Sequence, residues 1–287
     1  GGTGSRLYPV TKALSKQLMP IYDKPMIYYP LCTLMLAGIR EFLIITTPND
    51  IDAFKNLLGD GSKWGIDIIY KVQKTPDGIA SALIIGEEFL NNSPSALILG
   101  DNLFHGENLG KNLENANKDN DNSTVFAYKV SDPERYGVLE FNQSGGIKSI
   151  EEKPKNPKTK YAITGLYFYD KDAPKKCKTL KPSKRGELEI TDLNKLYLKE
   201  KKLKVSVIGR GMTWLDTGTF DSLHQASSFI RTLEKRQGQK VCSPEEISWR
   251  LNLISNSDLE ILAKDQEKSG YGKYLLDLLN DKSNFFK

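Results

Sequence analysis

The sequence has few of the residues that build disulfide frameworks, zinc sites or histidine-based metal cages. Its three cysteines, Cys32, Cys177 and Cys242, are far apart and odd in number, and its only histidines are His105 and His224. The cysteine spacing fits neither a disulfide scaffold nor a zinc site. This usage predicts a reducing, cytoplasmic location and favours core or surface roles for the histidines over catalytic ones.

Long apolar runs and a large excess of one charge are also absent. No apolar stretch approaches the roughly 20 residues of a membrane-spanning helix, so no membrane partner is expected. Lys and Arg number 41 against 36 Asp and Glu, a net charge of +5, and the two signs are interspersed. Such a surface argues against nucleic-acid binding, which gathers basic residues on one stripe, and it suits a small anionic substrate.

Strand-like and helix-like patterns alternate along the first hundred residues. Residues 41–48 and 95–102 are predicted to be buried strands, and 79–90 has a helical apolar period. Residues 25–39 are apolar nearly all round, with Gly38 as a helix stop. This βαβ rhythm predicts an α/β fold with a mixed, mostly parallel sheet covered by helices.

The segment after residue 120 changes character. Five strand-like runs separated by turn residues predict an antiparallel or mixed layer: STVFAYKV, YGVLEF, GIKSIEEKP, YAITGLYFYD and LKVSVIG. Residues 186–202 interrupt these runs with the pattern of an amphipathic helix. From about Thr219 the pattern is helical to the end of the chain.

A glycine-rich opening is the first place where chemistry is expected. Gly1, Gly2 and Gly4 permit close backbone approach, and successive N–H groups in such a turn form an anion nest. Arg6 and Lys16 add positive charge nearby. The Lys-Ser or Lys-Thr ending of a P-loop is missing. The combination predicts a phosphate cradle in which the Arg6 guanidinium holds phosphate oxygens.

Four charged residues at predicted strand ends are further candidates. Asp101 in LILGDN and Asp216 in WLDTGT are each suited to a helix cap or a turn. Mg²⁺ needs only one or two carboxylates beside substrate phosphates, so the two together would make a metal site. Glu152 and Lys153 in EEKP are either solvated or contact a sugar and its phosphate. Both interpretations stay open at this point.

Eight motifs, in order, resemble the thymidylyltransferase branch of the sugar-nucleotide pyrophosphorylases: GGTGSRLYPVTKALSKQLMPIYDKPMIYYPL, QKTPDGIA, LGDN, DPERYGV, EEKP, ITGLYFYD, RGELEITD and WLDTGT. The resemblance runs from Gly1 to the last helices. It implies a Rossmann-like nucleotidyltransferase core over residues 1–218, with helices on both faces of the sheet. Within it, a small β sugar-binding portion is expected at about 102–210, followed by a C-terminal helical region over 219–287.

The resemblance also assigns roles to matching residues. It implies nucleotide contacts, the last two with thymine, at Gly1, Gly2, Thr3, Gly4, Gln73 and Gly78. It implies contacts with the sugar and its phosphate at Tyr136, Gly137, Glu152, Lys153, Arg185 and Trp214. The catalytic cations would be Arg6, Lys16 and Lys153. Asp101 and Asp216 would bind Mg²⁺.

The reaction implied by the resemblance is attack of glucose 1-phosphate on the α-phosphorus of dTTP, giving dTDP-glucose and pyrophosphate. It would be the first step of dTDP-L-rhamnose and deoxysugar synthesis, in a homotetramer built as a dimer of dimers. The second pKa of a phosphate monoester is about 6, so the nucleophile is ionised near neutral pH and needs no histidine base. Mg²⁺ and the basic side chains would offset the repulsion between two anions.

Three alternatives remain open. A uridylyltransferase would differ by one methyl group on the base, which gives only modest discrimination. A non-catalytic nucleotide-sugar-binding regulator would share the fold, but the intact set of charged candidates argues against it. A metal-dependent glycosyltransferase would need an Asp-x-Asp motif, whereas GDN supplies one acid.

Both ends of the chain carry further expectations. The family has an apolar strand before the glycine loop, so roughly ten more upstream residues, about one strand with its lead-in, are expected in the natural protein. Residues 242–254 resemble the family segment that makes oligomer contacts and a second nucleotide site. Such a site would allow inhibition by dTDP-L-rhamnose, with Glu246 and Arg250 as the candidates.

Overall fold

A computed structural model describes residues 4–280, so Gly1, Gly2, Thr3 and residues 281–287 lie outside the described part of the chain. Its strands are β1 Pro20–Ile21, β2 Lys24–Pro25, β3 Glu41–Thr46, β4 Asp67–Val72, β5 Ser95–Ile98, β6 Asn102–Gly106, β7 Ser123–Lys129, β8 Gly137–Phe141, β9 Ile147–Glu152, β10 Tyr161–Tyr169, β11 Leu203–Val207 and β12 Met212–Asp216. Its α-helices are α1 Tyr28–Leu36, α2 Ile51–Leu58, α3 Ser81–Ile85, α4 Glu87–Leu90, α5 Leu109–Asn117, α6 Ala173–Cys177, α7 Ile190–Lys199, α8 Phe220–Gln237, α9 Pro244–Arg250, α10 Asn256–Asp265 and α11 Gly270–Asn280.

The largest sheet is mixed and is organised around β10. One edge of β10 pairs antiparallel with β7, and its other edge pairs with β8 at one end and β5 at the other. β9 extends β8, and β11 pairs parallel with β7. A parallel pair, β3–β4, and an antiparallel pair, β6–β12, lie outside this sheet. The mixed α/β fold is confirmed, but among the described strands the pairings are mostly antiparallel, and the parallel arrangement expected from the βαβ rhythm is present in β3–β4 and β7–β11.

Both faces of the central strand are covered. Successive side chains of a strand face opposite sides of the sheet. Leu166 and Phe168 join a buried cluster that includes Leu31 of α1, whereas Tyr167 and Tyr169 join one that includes residues of α3, α6 and α7. Helices therefore pack on both faces, which explains why β10 reads as a nearly continuous apolar run.

Two predicted helices have different bounds in the structure. The single helix expected over 79–90 is two short helices, α3 and α4, which meet at Gly86. The helix expected over 186–202 begins only at Ile190. Before it, Gly186 has a φ of 78°, and the Leu188 N–H donates to the Asp77 carbonyl oxygen at 2.7 Å. That extended pairing prevents helical geometry in the first residues of the segment.

The first of the C-terminal helices, α8, packs onto the hairpin of β1 and β2. α8 begins in a capping box, in which Thr219 and Ser222 each accept a hydrogen bond from the backbone N–H of the other. Ala226 and Ile230 share a buried cluster with Ile21 of β1. The helical pattern expected from Thr219 is present as α8 to α11. Over residues 4–280, none of the helices combines the length and apolar character that crossing a membrane requires.

A buried ion-pair network, the Lys24 network, joins this hairpin to the end of α8. Lys24 Nζ lies 2.6 Å from both Asp23 Oδ1 and Glu234 Oε1. Lys240 pairs with Asp23 and lies 3.0 Å from Glu234 Oε2. Lys24 and Glu234 are only 3% and 6% exposed. The network therefore holds one pair of opposite charges, Lys24 and Glu234, inside the protein, and the more exposed Asp23 and Lys240 complete it.

Candidate functional site

The β6–β12 ladder brings the two predicted metal ligands together. Asp216, the last residue of β12, is paired with Asn102, the residue after Asp101. The Thr217 N–H and hydroxyl both donate to the Asp101 carbonyl oxygen, at 3.1 and 2.9 Å. Two residues that are far apart in the sequence thus present their carboxylates at one place.

The pKa of Asp216 shows that the two carboxylates interact. Burial, and then the negative charge of Asp101, raise the pKa of Asp216, while Lys16, Arg135 and Arg6 act to lower it. The Lys16 ammonium forms an ion pair with Asp101. Arg135 Nη2 lies 3.4 Å from Asp216 Oδ2. The site therefore combines two repelling acids with three basic side chains, which is suited to binding anions together with a cation.

The donor set fits a metal that is shared with a substrate. Within residues 4–280, no three His, Cys, Asp or Glu side chains gather into a cage that would hold a metal alone. Mg²⁺ takes one or two carboxylates and completes its shell with water and phosphate oxygens. A cation between Asp101 and Asp216 would also relieve the repulsion that raises the pKa of Asp216.

Arg6 reaches the same place from the opening loop. Gly4 has a φ of 63°, and the Thr11 hydroxyl donates to its carbonyl oxygen at 2.7 Å, which fixes the turn. A Cβ atom at Gly218 would lie 3.4 Å from Arg6 Nη1 and 3.2 Å from Asp216 Oδ2. The missing side chain at Gly218 therefore leaves room for the exposed Arg6 guanidinium beside the carboxylates.

The predicted base-contacting residues lie at the carboxyl end of the parallel β3–β4 pair, the edge where α/β proteins bind ligands. Gln73 directly follows β4, and its Nε2 donates to Asp77 Oδ1 and to Ser81 Oγ, each at 2.6 Å. Gly78 has a φ of 110°, and a Cβ atom there would be 2.3 Å from the Leu188 carbonyl oxygen. Close backbone approach therefore requires glycine at this position, whatever binds beside it.

The predicted sugar-side residues converge on the end of the β8–β9 ladder. Gly137 is paired with Glu152, whose Oε2 accepts from the Thr191 hydroxyl at 2.5 Å. The Lys153 N–H donates to the Tyr136 carbonyl oxygen at 3.0 Å. Lys153 has a φ of 44°, a left-handed conformation that is unfavourable for lysine and is typical of functional positions. Its half-exposed ammonium lies 3.6 Å from Glu152 Oε1.

Arg185 is held by acidic neighbours. Its Nη2 lies 2.9 Å from both carboxylate oxygens of Glu189 and 3.4 Å from Glu187. It also lies 3.6 Å from Glu152 Oε1. Arg185 is therefore next to the predicted sugar residues, but a phosphate would have to compete with three carboxylates for its guanidinium.

Trp214 supports the site from inside the protein. It is 5% exposed, and its indole N–H donates to Asn102 Oδ1 at 2.6 Å. The Tyr136 ring packs edge-on against it at a centroid distance of 5.1 Å. Because Asn102 Oδ1 also accepts from the Gly165 N–H, one buried side chain fixes Trp214 and, through it, the half-exposed Tyr136.

A known protein family matches most of the chain. The family model described as nucleotidyl transferase matches residues 1–232. The chain belongs to the nucleotidyl transferase family.

Similar proteins cover nearly the whole of this nucleotidyl transferase. The glucose-1-phosphate thymidylyltransferase of Neisseria meningitidis serogroup A is 55% identical over 279 residues, which are 97% of each chain. The protein of that name from Mycobacterium tuberculosis is 52% identical over 279 residues, which are 97% of this chain and 96% of the relative.

Solved structures share the fold. A Bacillus anthracis structure, described as a candidate glucose-1-phosphate thymidylyltransferase with a bound sucrose, matches with a TM-score of 0.74 and 42% identity. The match covers 80% of this chain and 92% of that one. A UDP-glucose pyrophosphorylase with UDP-glucose matches with a TM-score of 0.69 and 26% identity, over 81% and 96% of the two chains.

Sequence reasoning missed several residues that build the site of this nucleotidyl transferase. Arg135 lies within the motif DPERYGV and Asn102 within LGDN, but only their neighbours were selected as candidates. Thr191, which fixes Glu152, lies in RGELEITD. The motifs thus contained the signal, whereas the side chains that orient others carry no chemical signature of their own.

Away from the carboxylates, a cavity of about 280 Å³ lies where β6, α5 and α9 meet; it is called the second cavity below. Its lining includes Phe104, His105, Asn108, Lys240, Glu246 and Arg250. Arg250 Nε donates to Glu246 Oε1 at 2.7 Å, and the Tyr274 hydroxyl donates to Glu246 Oε2 at 2.5 Å. β6 links the two sites in this nucleotidyl transferase, because it starts beside the carboxylates and ends at the cavity.

Proposed function

We propose that this chain makes dTDP-glucose and pyrophosphate from dTTP and α-D-glucose 1-phosphate. The observation that carries the proposal is the Asp101–Asp216 pair with Lys16 and Arg6 beside it. Relatives named glucose-1-phosphate thymidylyltransferase, 50–55% identical over nearly the full length, support the choice of substrates. A homotetramer and a cytoplasmic location stay predictions.

The chemistry follows from charge and position. Asp101 and Asp216 would hold Mg²⁺, which supplies charge compensation and orientation for the phosphates when it is bound. The Arg6 guanidinium binds oxygens of the departing pyrophosphate. Lys16 exchanges its Asp101 partner for a phosphate oxygen beside the reacting phosphorus. In-line attack then proceeds without the repulsion that two anions would otherwise experience.

The sugar phosphate is positioned from the other side. The Lys153 ammonium binds its oxygens, and Glu152 accepts hydrogen bonds from sugar hydroxyls. Thr191 restricts the Glu152 carboxylate to one orientation, and Trp214 does the same for the Tyr136 ring. A nucleophile held at the correct distance needs no general base, because its phosphate is already ionised.

Release of pyrophosphate tests the proposed function directly. The full-length protein is given Mg²⁺, glucose 1-phosphate and one of dTTP, UTP, ATP, CTP or GTP. We expect strong release with dTTP, weaker release with UTP and negligible release with the others. Release with UTP alone would identify a uridylyltransferase. Binding of dTTP without release from any nucleotide would identify a non-catalytic regulator.

We also propose that the second cavity binds the end product dTDP-L-rhamnose as a feedback inhibitor. Lys240 and Arg250 give its lining basic groups suited to a diphosphate, and Phe104 and Ile247 give it apolar surface. The Glu246–Arg250 pair, which Tyr274 holds in place, would bind the polar part of such a ligand.

Substitution of Arg250 tests this regulatory site. Arg250→Ala should raise the concentration of dTDP-L-rhamnose needed for half inhibition by roughly tenfold, because a charge-assisted hydrogen bond is lost. Turnover without inhibitor should stay close to that of the wild type. Lys264→Ala removes a comparable i,i+4 partner on the exposed face of α10 and serves as the control. Unchanged inhibition in Arg250→Ala would refute the assignment.

A further inference from the structure

We infer that Arg135 is a built-in counter-ion of Asp216, which lowers the affinity of the nucleotide-free site for divalent cations so that the metal is taken up together with the triphosphate. The inference rests on the proposed function, in which Asp101 and Asp216 hold Mg²⁺. Arg135 needs no contact with either substrate for this role. It is a positioning residue that acts through Asp216.

The Arg135 guanidinium lies between two carboxylates. Its Nη1 lies 2.7 Å from Asp132 Oδ2, and its Nη2 lies 3.4 Å from Asp216 Oδ2. A guanidinium donates from several N–H groups in one rigid plane, so a single arginine can pair with both acids at once. The contact with Asp216 is the longer of the two. A divalent cation would therefore displace Arg135 from Asp216 first, while Asp132 keeps the arginine in place.

The chain around Arg135 fixes this position. Residues Pro133–Arg135 form a short 3₁₀ helix, with Pro133 buried and Asp132 directly before it. Residues three apart lie on the same side of such a helix, which brings the Asp132 and Arg135 side chains together. The guanidinium carbon also lies 5.3 Å from the centroid of the Tyr136 ring, a favourable cation–π distance. Arg135 is therefore held beside Asp216 by two further contacts.

Each carboxylate of the proposed metal site already has a basic partner. Lys16 pairs with Asp101 as Arg135 pairs with Asp216. The two carboxylate side chains are only 20% and 17% exposed, so water screens these interactions less than it would at the surface. The proposed reaction gives Lys16 a phosphate to bind, whereas it gives Arg135 none. The charge of Arg135 therefore calls for a different explanation.

The charges around the carboxylates disfavour a cation that arrives alone. Lys16, Arg135 and Arg6 all act on Asp216, beside which Asp101 is the second acid, so three basic groups exceed two acids by one charge. A divalent cation without a counter-ion would raise this excess from one positive charge to three. A triphosphate supplies negative charge that offsets it and oxygens that complete the coordination shell of Mg²⁺. The site is thus suited to a metal that comes with phosphate.

Arg135→Gln tests the inference in the full chain without nucleotide. The measurement is a Mn²⁺ titration followed by electron paramagnetic resonance, because oxygen-ligand sites that suit Mg²⁺ also suit Mn²⁺. We expect Arg135→Gln to bind Mn²⁺ roughly tenfold more tightly than the wild type, because the repulsion from one nearby charge is lost. Arg135→Lys keeps the charge and should stay close to the wild type. Replacement of a residue that served only the fold would weaken binding rather than strengthen it.

Two further variants sharpen this test. Asp132→Asn should weaken Mn²⁺ binding, because the guanidinium can then turn fully towards Asp216. The control is Lys148→Gln, which removes one positive charge from an ion pair with Glu140, at 2.6 Å, near the turn of the β8–β9 hairpin. Mn²⁺ binding in Arg135→Gln that is unchanged, weaker or undetectable would overturn the inference. An equal gain in affinity in Lys148→Gln would overturn it too.

The titration requires no turnover, so its failure can be told apart from that of the proposed function. Release of pyrophosphate from dTTP, with unchanged Mn²⁺ binding in Arg135→Gln, would refute the role of Arg135 and leave the proposed function intact. Tighter Mn²⁺ binding in Arg135→Gln, with no release of pyrophosphate by the wild type, would support the role of Arg135 and refute the proposed function.

Discussion

Asp216→Asn should reduce turnover with dTTP by on the order of 10³-fold and, at the same time, raise the unfolding temperature by a few degrees. The two effects have one cause. Asp216 is buried and faces Asp101, and both conditions raise its pKa. The ionised form is thus less favourable in the folded chain than in the unfolded one, and this destabilisation is present at pH values above the folded pKa.

A neutral side chain at position 216 removes the repulsion with Asp101. It also removes half of the donor set proposed for Mg²⁺ and with it the positioning of the substrate phosphates. Stability and activity then change in opposite directions, which is expected where a site is strained for function. The measurements are pyrophosphate release at saturating Mg²⁺ and a thermal unfolding curve without metal or nucleotide.

Asp132→Asn is the matched control for this prediction. Asp132 is the other carboxylate partner of Arg135, at 2.7 Å, but it is half-exposed. Its replacement should leave turnover within a few-fold of the wild type and should not raise the unfolding temperature. If Asp216→Asn retained half of the wild-type turnover, its assignment as a metal ligand would be wrong.

Lys24→Met should lower the free energy of unfolding by about 3–5 kcal/mol, because it leaves a buried carboxylate without its main partner. Glu234 Oε1 accepts from Lys24 Nζ at 2.6 Å and from the Val241 N–H at 2.9 Å. After the substitution, Lys240 alone must compensate both Glu234 and Asp23. Methionine fills the space of the lysine stem, so the loss reflects charge rather than packing.

Urea unfolding measures this loss, with Lys264→Met as the control. Lys264 also pairs with a glutamate, Glu260 Oε1, at 2.6 Å, but both side chains are about half-exposed or more. Surface pairs of this kind contribute about 1 kcal/mol or less. Adding Glu234→Gln to Lys24→Met should restore part of the stability. Equal losses in the two lysine variants would show that the Lys24 network contributes no more than a surface pair.

Elements with a strong local signal were predicted from the sequence. β3 and β5 lie within the apolar runs 41–48 and 95–102, which turn residues bound on both sides. α1 lies within 25–39 and ends just before Gly38, which has a φ of 89°. In these cases, the apolar residues that become buried and the turn residues that end the element are close neighbours in the sequence.

Long-range pairing was not predictable in this way. β6 and β12 lie more than a hundred residues apart, and their register alone decides that Asp101 meets Asp216. Residue patterns predict that a segment is a strand, but they do not predict which distant strand it pairs with. The sequence therefore left open whether Asp101 and Asp216 lie near each other, and the ladder shows that they do.

Buried polar residues were missed for a related reason. A lysine between Asp23 and Pro25 reads as part of a solvated turn, since lysines are almost never fully buried. The partners that make burial possible for Lys24, Glu234 and Lys240, come from the other end of the chain. The same holds for Ser81, which is buried and accepts a hydrogen bond from Gln73 Nε2.

The β6–β12 ladder has a consequence for how substrate range can change. The chain between these strands, residues 107–211, carries the sugar-side residues Tyr136, Glu152 and Lys153, whereas the carboxylates lie at the ladder itself. The ladder, which brings the carboxylates together, also holds both ends of this segment. Under the proposed function, substitutions at Tyr136 or Glu152 should change the preference for the acceptor sugar while Asp101 and Asp216 stay in place, so acceptor preference and reaction type can evolve separately.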